Sequence, residues 1–318
     1  MLPHDVPSET RALPAGDRRS AVYFSGDGLR QLRLGYLIQE RFPGLLKAWW
    51  ISAPKSSQRL RPKLEKAWRM VSSGPPSTGT MELLREGDLR NLVGIARRRI
   101  RRGDLRRLGR IVKLATRRDP YARVEEEMFG AEVKAFEARA ALHPERVDRF
   151  DSEEHLARMS AIDPYLIVTF GGPLLRGRVL EKARGLAINQ HAGWSPSLKG
   201  SYTTETAIYH RELGWIGNTV HVMDTQADSG AILRRSTCTL HPDDDLAHCV
   251  LAVCAVGSKL MLESIDTILH ADRLDVFPQP RGGQTLLNVD FTLAKRDAVA
   301  RDLRGGWLAD ALAATRDY

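Results

Sequence analysis

The sequence predicts an α/β domain with a mostly parallel open sheet, on three observations. Apolar runs of strand length recur from Ala21, at Leu45–Ser52 and at Tyr165–Phe170. The first and third run into glycine turns, Gly26-Asp27-Gly28 and Gly171-Gly172-Pro173. Helical patterns follow or separate the runs, as βαβ connections require. Ligands of such a sheet sit beyond the carboxyl ends of its strands.

Each element has its own signal. AVYFSGDGLRQL, from Ala21, reads as strand, glycine turn and helix start, and LLKAWWIS as the second strand. The rhythm then breaks at the turn-rich loop Ser72–Thr80. Beyond it Leu105, Leu108, Ile111, Val112 and Ala115 recur at helical spacing, with Arg106, Arg107, Arg110 and Lys113 mostly elsewhere round the helix. That pattern predicts an amphipathic basic helix within a helical insertion over about 55–150. Alternation resumes at Asp163 with the strand YLIVTF, the short helical piece LLRGRVLEKA and the strand Leu186–His191. Ser201–Arg211 reads as a helix stopped near Gly214, and Thr219–Met223 and Ala231–Leu240 as strands. Asp243–Asp245 suit the N-cap and acidic first turn of a long buried helix, Leu246–His270. The expected organisation is a flexible tail over 1–20, the α/β domain over 21–275, and a small appendage over 276–318 that is rich in Pro and Gly and then helical.

With 42% hydrophobic and 27% charged residues in 318, the chain falls among ordinary globular proteins and can bury a full core. The net charge of +9 is local: Arg97–Arg118 holds eleven Arg or Lys against Asp104 alone, a net +10. No run of 18 apolar residues suggests a membrane span, and Pro, Asp and Glu near the start argue against a signal peptide, so a cytoplasmic location is expected. Cys238, Cys249 and Cys254 form no CxxC pair and read as small buried side chains. Gly26-x-Gly28 lacks the third glycine of a dinucleotide fingerprint, since position 31 is Gln. No spacing suggests a metal site.

The segment with most chemistry is INQHAGWSPSLKG, followed by NTVHVMDTQADSGAIL. Asn189 and His191 lie two apart at the end of a predicted strand, so period 2 turns both side chains to one face. Asp228 lies in the loop between two later strands, before Ser229-Gly230. An amide, an imidazole and a carboxylate converging there suit acyl transfer to an amine, where an oxyanion needs a donor and the attacking nitrogen must shed a proton. Taken singly, Asn189 also suits a turn, His191 a satisfied core position, and Asp228 a turn before Gly. His221, between Val220 and Val222, and Asp224 read as packing and loop structure.

The ordered set resembles the catalytic domain of formyltransferases that use N10-formyltetrahydrofolate. That family includes glycinamide ribonucleotide, methionyl-tRNA and nucleotide-sugar enzymes. The matching features are Asn189-x-His191, the loop Ser195–Gly200, Thr219-x-His221 and Asp228 before Ser229-Gly230, within Asp163–Leu240. The resemblance implies that Asn189 holds the formyl oxygen, His191 donates to the oxyanion or holds the proton, and Asp228 positions His191 or relays the proton. It further implies a folate site lined by Phe170, Gly171, Gly172, Leu174, Asp224 and Ala227. The acceptor amine would meet Trp194, Ser195, Pro196, Lys199 and Gly200.

The loop AGWSPSLKG differs from the Ser-Leu-Leu-Pro type usual in the methionyl-tRNA enzymes, and the basic insertion is absent from the compact members. The expected reaction is therefore formyl transfer from N10-formyltetrahydrofolate to a primary amine, on a nucleotide-linked amino sugar or a similar intermediate, without a metal. A methionyl-tRNA formyltransferase that grips RNA through Arg97–Arg118 is the first alternative. Formyltetrahydrofolate hydrolysis and a non-catalytic basic adaptor are the others. The basic stretch equally suits an anionic surface, and the sequence leaves open whether the chain forms a homodimer.

Overall fold

The computed structural model describes residues 8–52, 121–172, 175, 177–224, 226–280, 282–287 and 290–316. The chain divides into two compact units, Met1–Ser52 with Arg123–Tyr318, and Ala53–Ala122. The elements labelled below belong to the first unit. The Arg97–Arg118 stretch and Leu174 lie outside the described residues.

The strands are β1 (Glu9–Ala12), β2 (Ala21–Ser25), β3 (Leu46–Ser52), β4 (Glu145–Val147), β5 (Leu166–Phe170), β6 (Leu186–His191), β7 (Leu198–Gly200), β8 (Gly217–Val222), β9 (Ile232–Thr237), β10 (Arg273–Val276) and β11 (Gln284–Leu286). The helices used below are α1 (Leu29–Arg41), α2 (Ala131–Glu137), α3 (Glu153–Ile162), α4 (Thr203–Tyr209), α5 (Leu246–His270), α6 (Leu293–Arg304) and α7 (Trp307–Arg316). Seven strands form one sheet in the order β4-β3-β2-β5-β6-β8-β9. The first five run parallel, while β8 is antiparallel to both β6 and β9. The fold is thus the α/β class with a mostly parallel sheet that the sequence predicts.

Helices cover both faces, so the central strands are apolar on both sides rather than alternating. Val22, Phe24, Trp50, Ile167 and Ala187 pack with Leu156 and Met159 of α3 on one face. On the other face Tyr36 of α1 meets Trp49 edge-on at 5.0 Å between ring centres. The chain reverses between β3, on one side of β2, and β5, on the other. A reversal of this kind opens a crevice at the carboxyl ends of β2 and β5. The first turn of α1 stands at that end. Its cap residue, Gly28, brings no side-chain acceptor, and the buried Glu125 accepts from Arg30 N at 2.7 Å instead.

α5 begins where the sequence predicts: Asp245 caps it by accepting from Ala247 N and His248 N at 2.8 and 3.0 Å. Its length and apolarity would suit a membrane span, but more than half of that apolar stretch is buried inside the protein. Cys249 and Cys254 lie on its buried side, and burial pushes these thiols and that of Cys238 up to about 12. Such thiols pack and do not react.

Elsewhere elements are shorter or additional. LLRGRVLEKA yields one helical turn, Gly177–Leu180, and the helix predicted over Ser201–Arg211 spans Thr203–Tyr209. Within the segment read as a tail, β1 pairs antiparallel with β10. Within the segment read as an appendage, β11 pairs parallel with β7, and α6 and α7 pack through Val299 and Leu308 against Leu198 and Ala207.

Candidate active site

Register across three strands builds the centre. Thr169 of β5 pairs with Asn189 of β6, which pairs in turn with His221 of β8. Residues directly opposite one another point to the same face, so three polar side chains form one row across the sheet. Thr169 Oγ1 donates to Asn189 Oδ1 at 2.7 Å, which fixes the amide with its nitrogen facing away. That nitrogen lies 3.2 Å from Asp228 Oδ1 and 3.1 Å from His221 Nε2.

Asp228 arrives from the loop between β8 and β9. It adopts a left-handed backbone, φ 53°, which short polar residues tolerate better than most. The following Gly230 is sterically required: a Cβ there would stand 1.8 Å from Val222 O. The carboxylate is surrounded by polar groups. Oδ1 faces Asn189 Nδ2 and His221 Nε2, the latter at 3.3 Å. Oδ2 faces His191 Nδ1 at 3.3 Å and accepts from Gly200 N at 2.8 Å. Burial alone would raise its pKa, but the charge of His191 and the hydrogen bond and charge of His221, with Gly200 N–H, hold it far below the carboxylate range. Asp228 is therefore an anion throughout the neutral range.

Both imidazoles are nearly inaccessible, with side-chain exposures of 5% for His191 and 3% for His221. The other nitrogen of His191, Nε2, lies 3.0 Å from Leu198 O. Carbonyl and carboxylate can only accept, so this ring donates from whichever nitrogen carries hydrogen. His221 differs. Its Nδ1 faces Val222 O at 2.9 Å, while Nε2 sits between an acceptor and a donor. A neutral His221 accepts from Asn189; a protonated one donates to Asp228.

The predicted residues divide clearly. Asn189, His191 and Asp228 meet, and Gly200 joins them through its backbone. Trp194 and Ser195 are buried instead, with the Trp194 ring under the Arg235 guanidinium at 3.9 Å and Ser195 N bonded to Thr219 Oγ1. Pro196 and Lys199 are half-buried. Phe170 is buried, whereas Gly171, Gly172 and Ala227 are exposed. Gly171 and Gly172 follow β5 at its carboxyl end, beside the turn after β2: Gly26 N donates to Phe170 O at 3.2 Å, and Gly171 O lies against Gly26. Asp224 is exposed and accepts from Gln226 N and Ser229 Oγ, a tie within its own loop. His221 is buried as a packing residue would be, yet it borders the carboxylate. Its signal lay in the Thr219-x-His221 pattern. Thr169, inside YLIVTF, left no sequence signal.

The open α/β sheet thus brings together a largely buried carboxylate, two imidazoles and an anchored amide, the kinds of group that general acid–base and acyl chemistry use. The profile of the formyl transferase family matches residues 91–265, more than half of the sequence, and the chain belongs to that family. A methionyl-tRNA formyltransferase of Trichodesmium erythraeum is 27% identical over 138 residues, 43% of this chain and 40% of that protein. One from Burkholderia pseudomallei is 31% identical over 120 residues, 38% of this chain and 36% of that protein. The aligned part is thus well under half the length of these relatives. A sugar N-formyltransferase structure from Shewanella sp FDAARGOS_354 aligns at 13% identity over 89% of this chain and 87% of that one, TM-score 0.48.

Proposed function

We propose that the protein transfers a formyl group from N10-formyltetrahydrofolate to a primary amine. One observation carries the proposal: Asn189, His191, His221 and Gly200 N–H all converge on the anionic Asp228 at the carboxyl end of β6. The amine nitrogen attacks the formyl carbon, and the carbonyl pair becomes an oxyanion. Asn189 Nδ2, whose N–H groups rest on Asp228 Oδ1 and His221 Nε2, turns one of them to that oxygen, while His191, with both nitrogens against acceptors, acts through its pairing with Asp228. The proton shed by the amine passes to the Asp228–His191 pair and on to N10 as the C–N10 bond breaks, releasing tetrahydrofolate. Loss of one such oxyanion donor costs about 100- to 1000-fold in rate.

On this reading the folate lies against the exposed Gly171–Gly172 turn, and the acceptor approaches over Lys199 and Gly200. The preferred acceptor is the amine of a nucleotide-linked amino sugar, which the loop AGWSPSLKG favours over a transfer RNA. The methionyl-tRNA relatives support the RNA acceptor as a second reading. An assay of tetrahydrofolate release against nucleotide-linked amino sugars, amino acids and aminoacyl-tRNA separates them. Release that depends on an amino sugar, with a product one formyl group heavier, is expected. Release only with aminoacyl-tRNA moves the assignment to the second reading, and release without any amine overturns transfer.

A further inference from the structure

The segment after β10 crosses the two loops that form the centre. Phe277 exchanges both backbone hydrogen bonds with Ile232, each at 2.8 Å, where β9 begins. Two residues on, Gln279 Nε2 donates to Asp228 O at 3.0 Å and to Gly230 O at 2.7 Å. Farther along, Gln284 N donates to Ser197 O, β11 pairs with β7, and Ser201 N donates to Leu286 O. β7 carries Gly200, whose N–H holds Asp228 Oδ2. Gly283, at φ 77°, allows this approach, since a Cβ there would lie 1.6 Å from Pro196 O. One stretch of chain therefore grips both the loop that carries the carboxylate and the loop that carries its backbone donor.

We propose that Gln279 is a positioning residue for formyl transfer, acting through the backbone of Asp228; the inference rests on the transfer reaction proposed above. Both protons of its amide nitrogen are spent on carbonyls either side of Ser229, in a loop whose Asp228 holds a left-handed conformation. The loop's other ties to the sheet run through the Asp228 side chain, to Asn189, His191 and His221, and through Met223 N, which donates to Ala187 O at 2.7 Å. Among the described residues, Asp224 bonds within the loop, to Gln226 N and Ser229 Oγ. Without the two donations the carbonyls must find water, and the carboxylate loses its fixed distance to His191 and Gly200.

The test uses Gln279→Met, similar in length but without donors, and Gln279→Glu as a second variant should the first fold poorly. A displacement of about 1 Å at a catalytic group costs on the order of 100-fold, so kcat should fall about 10- to 100-fold with KM for the formyl donor changed far less. The Gly200 amide proton, followed by NMR, should exchange with solvent about tenfold faster or more as its acceptor moves. A purely structural Gln279 would lower the melting temperature and leave both readings untouched in the folded protein. Turnover within about twofold of wild type, with Gly200 exchange unchanged, overturns the proposal. Should the wild type move no formyl group, the transfer reading fails, and Gly200 exchange still decides whether Gln279 positions Asp228.

Discussion

Replacing Asp228 with Asn keeps the shape and removes the charge, which makes it the sharpest perturbation of this centre. Each carboxylate oxygen now faces two nitrogens: Asn189 Nδ2 and His221 Nε2 at Oδ1, His191 Nδ1 and Gly200 N at Oδ2. An amide must turn its NH2 toward one of these pairs. It then sets N–H against N–H at Gly200 or at Asn189, and the attraction to both rings is lost. A hydrogen bond to a charged group contributes about 1.5–3 kcal/mol, so Asp228→Asn should cost roughly 2–3 kcal/mol. Urea unfolding at pH 7 should show a lower midpoint with an unchanged slope. The same change should lower kcat by about 100- to 10,000-fold, the usual reach of acid–base catalysis. pH gives an independent check. The folded carboxyl is depressed, so its stabilisation is complete above the unfolded pKa of about 3.9 and fades as pH falls through the folded value. The gap between wild type and variant should therefore begin to narrow below about pH 4 and keep narrowing as the pH is lowered further. A variant as stable as wild type at pH 7, turning over at a similar rate, would refute the reasoning.

Three further outcomes are expected. Thr169→Val removes the hydroxyl that orients Asn189, and kcat should fall by about 10- to 100-fold, as for a displaced catalytic group, while formyl-folate affinity stays near wild type. Gly230→Ala places a methyl 1.8 Å from Val222 O, so denaturant unfolding should show a loss of about 1–3 kcal/mol or more. His155, ringed by Trp50, Phe150 and Phe24, has its pKa lowered by burial first and by Arg158 second. Its neutral form is favoured on folding, so stability should decline as pH falls below about 6.5. Melting curves of His155→Phe should lack that acid-side slope.

The sequence made the regular parts legible for physical reasons. Leu186–His191 and Leu246–His270 appear with the predicted bounds because one ends a compact apolar run and the other has a capping aspartate. Period 2 placed Asn189 and His191 on one face, and both lie beside Asp228. What stayed hidden depends on register. Thr169 and His221 sit in apolar strands and look like core until β5, β6 and β8 align them with Asn189. The three-residue strands β7 and β11 are too short to carry periodicity, and each forms only because the other is near. Trp194 and Ser195 stand in a loop with Gly and Pro, yet Arg235 and Thr219 bury them. Gln279, in a Pro-rich stretch, carried no pattern at all.

The central claim is that the Asn189–His191–Asp228 centre moves a formyl group from folate to an amine. The most direct measurement supplies N10-formyltetrahydrofolate labelled with carbon-13 in the formyl group, together with an amino-sugar nucleotide, and follows the label by NMR. Wild-type protein should place the label in a new formamide, and Asn189→Ala should slow that transfer by about 100- to 1000-fold. Label that stays on the folate, appears as free formate, or moves equally fast in the variant would contradict the account.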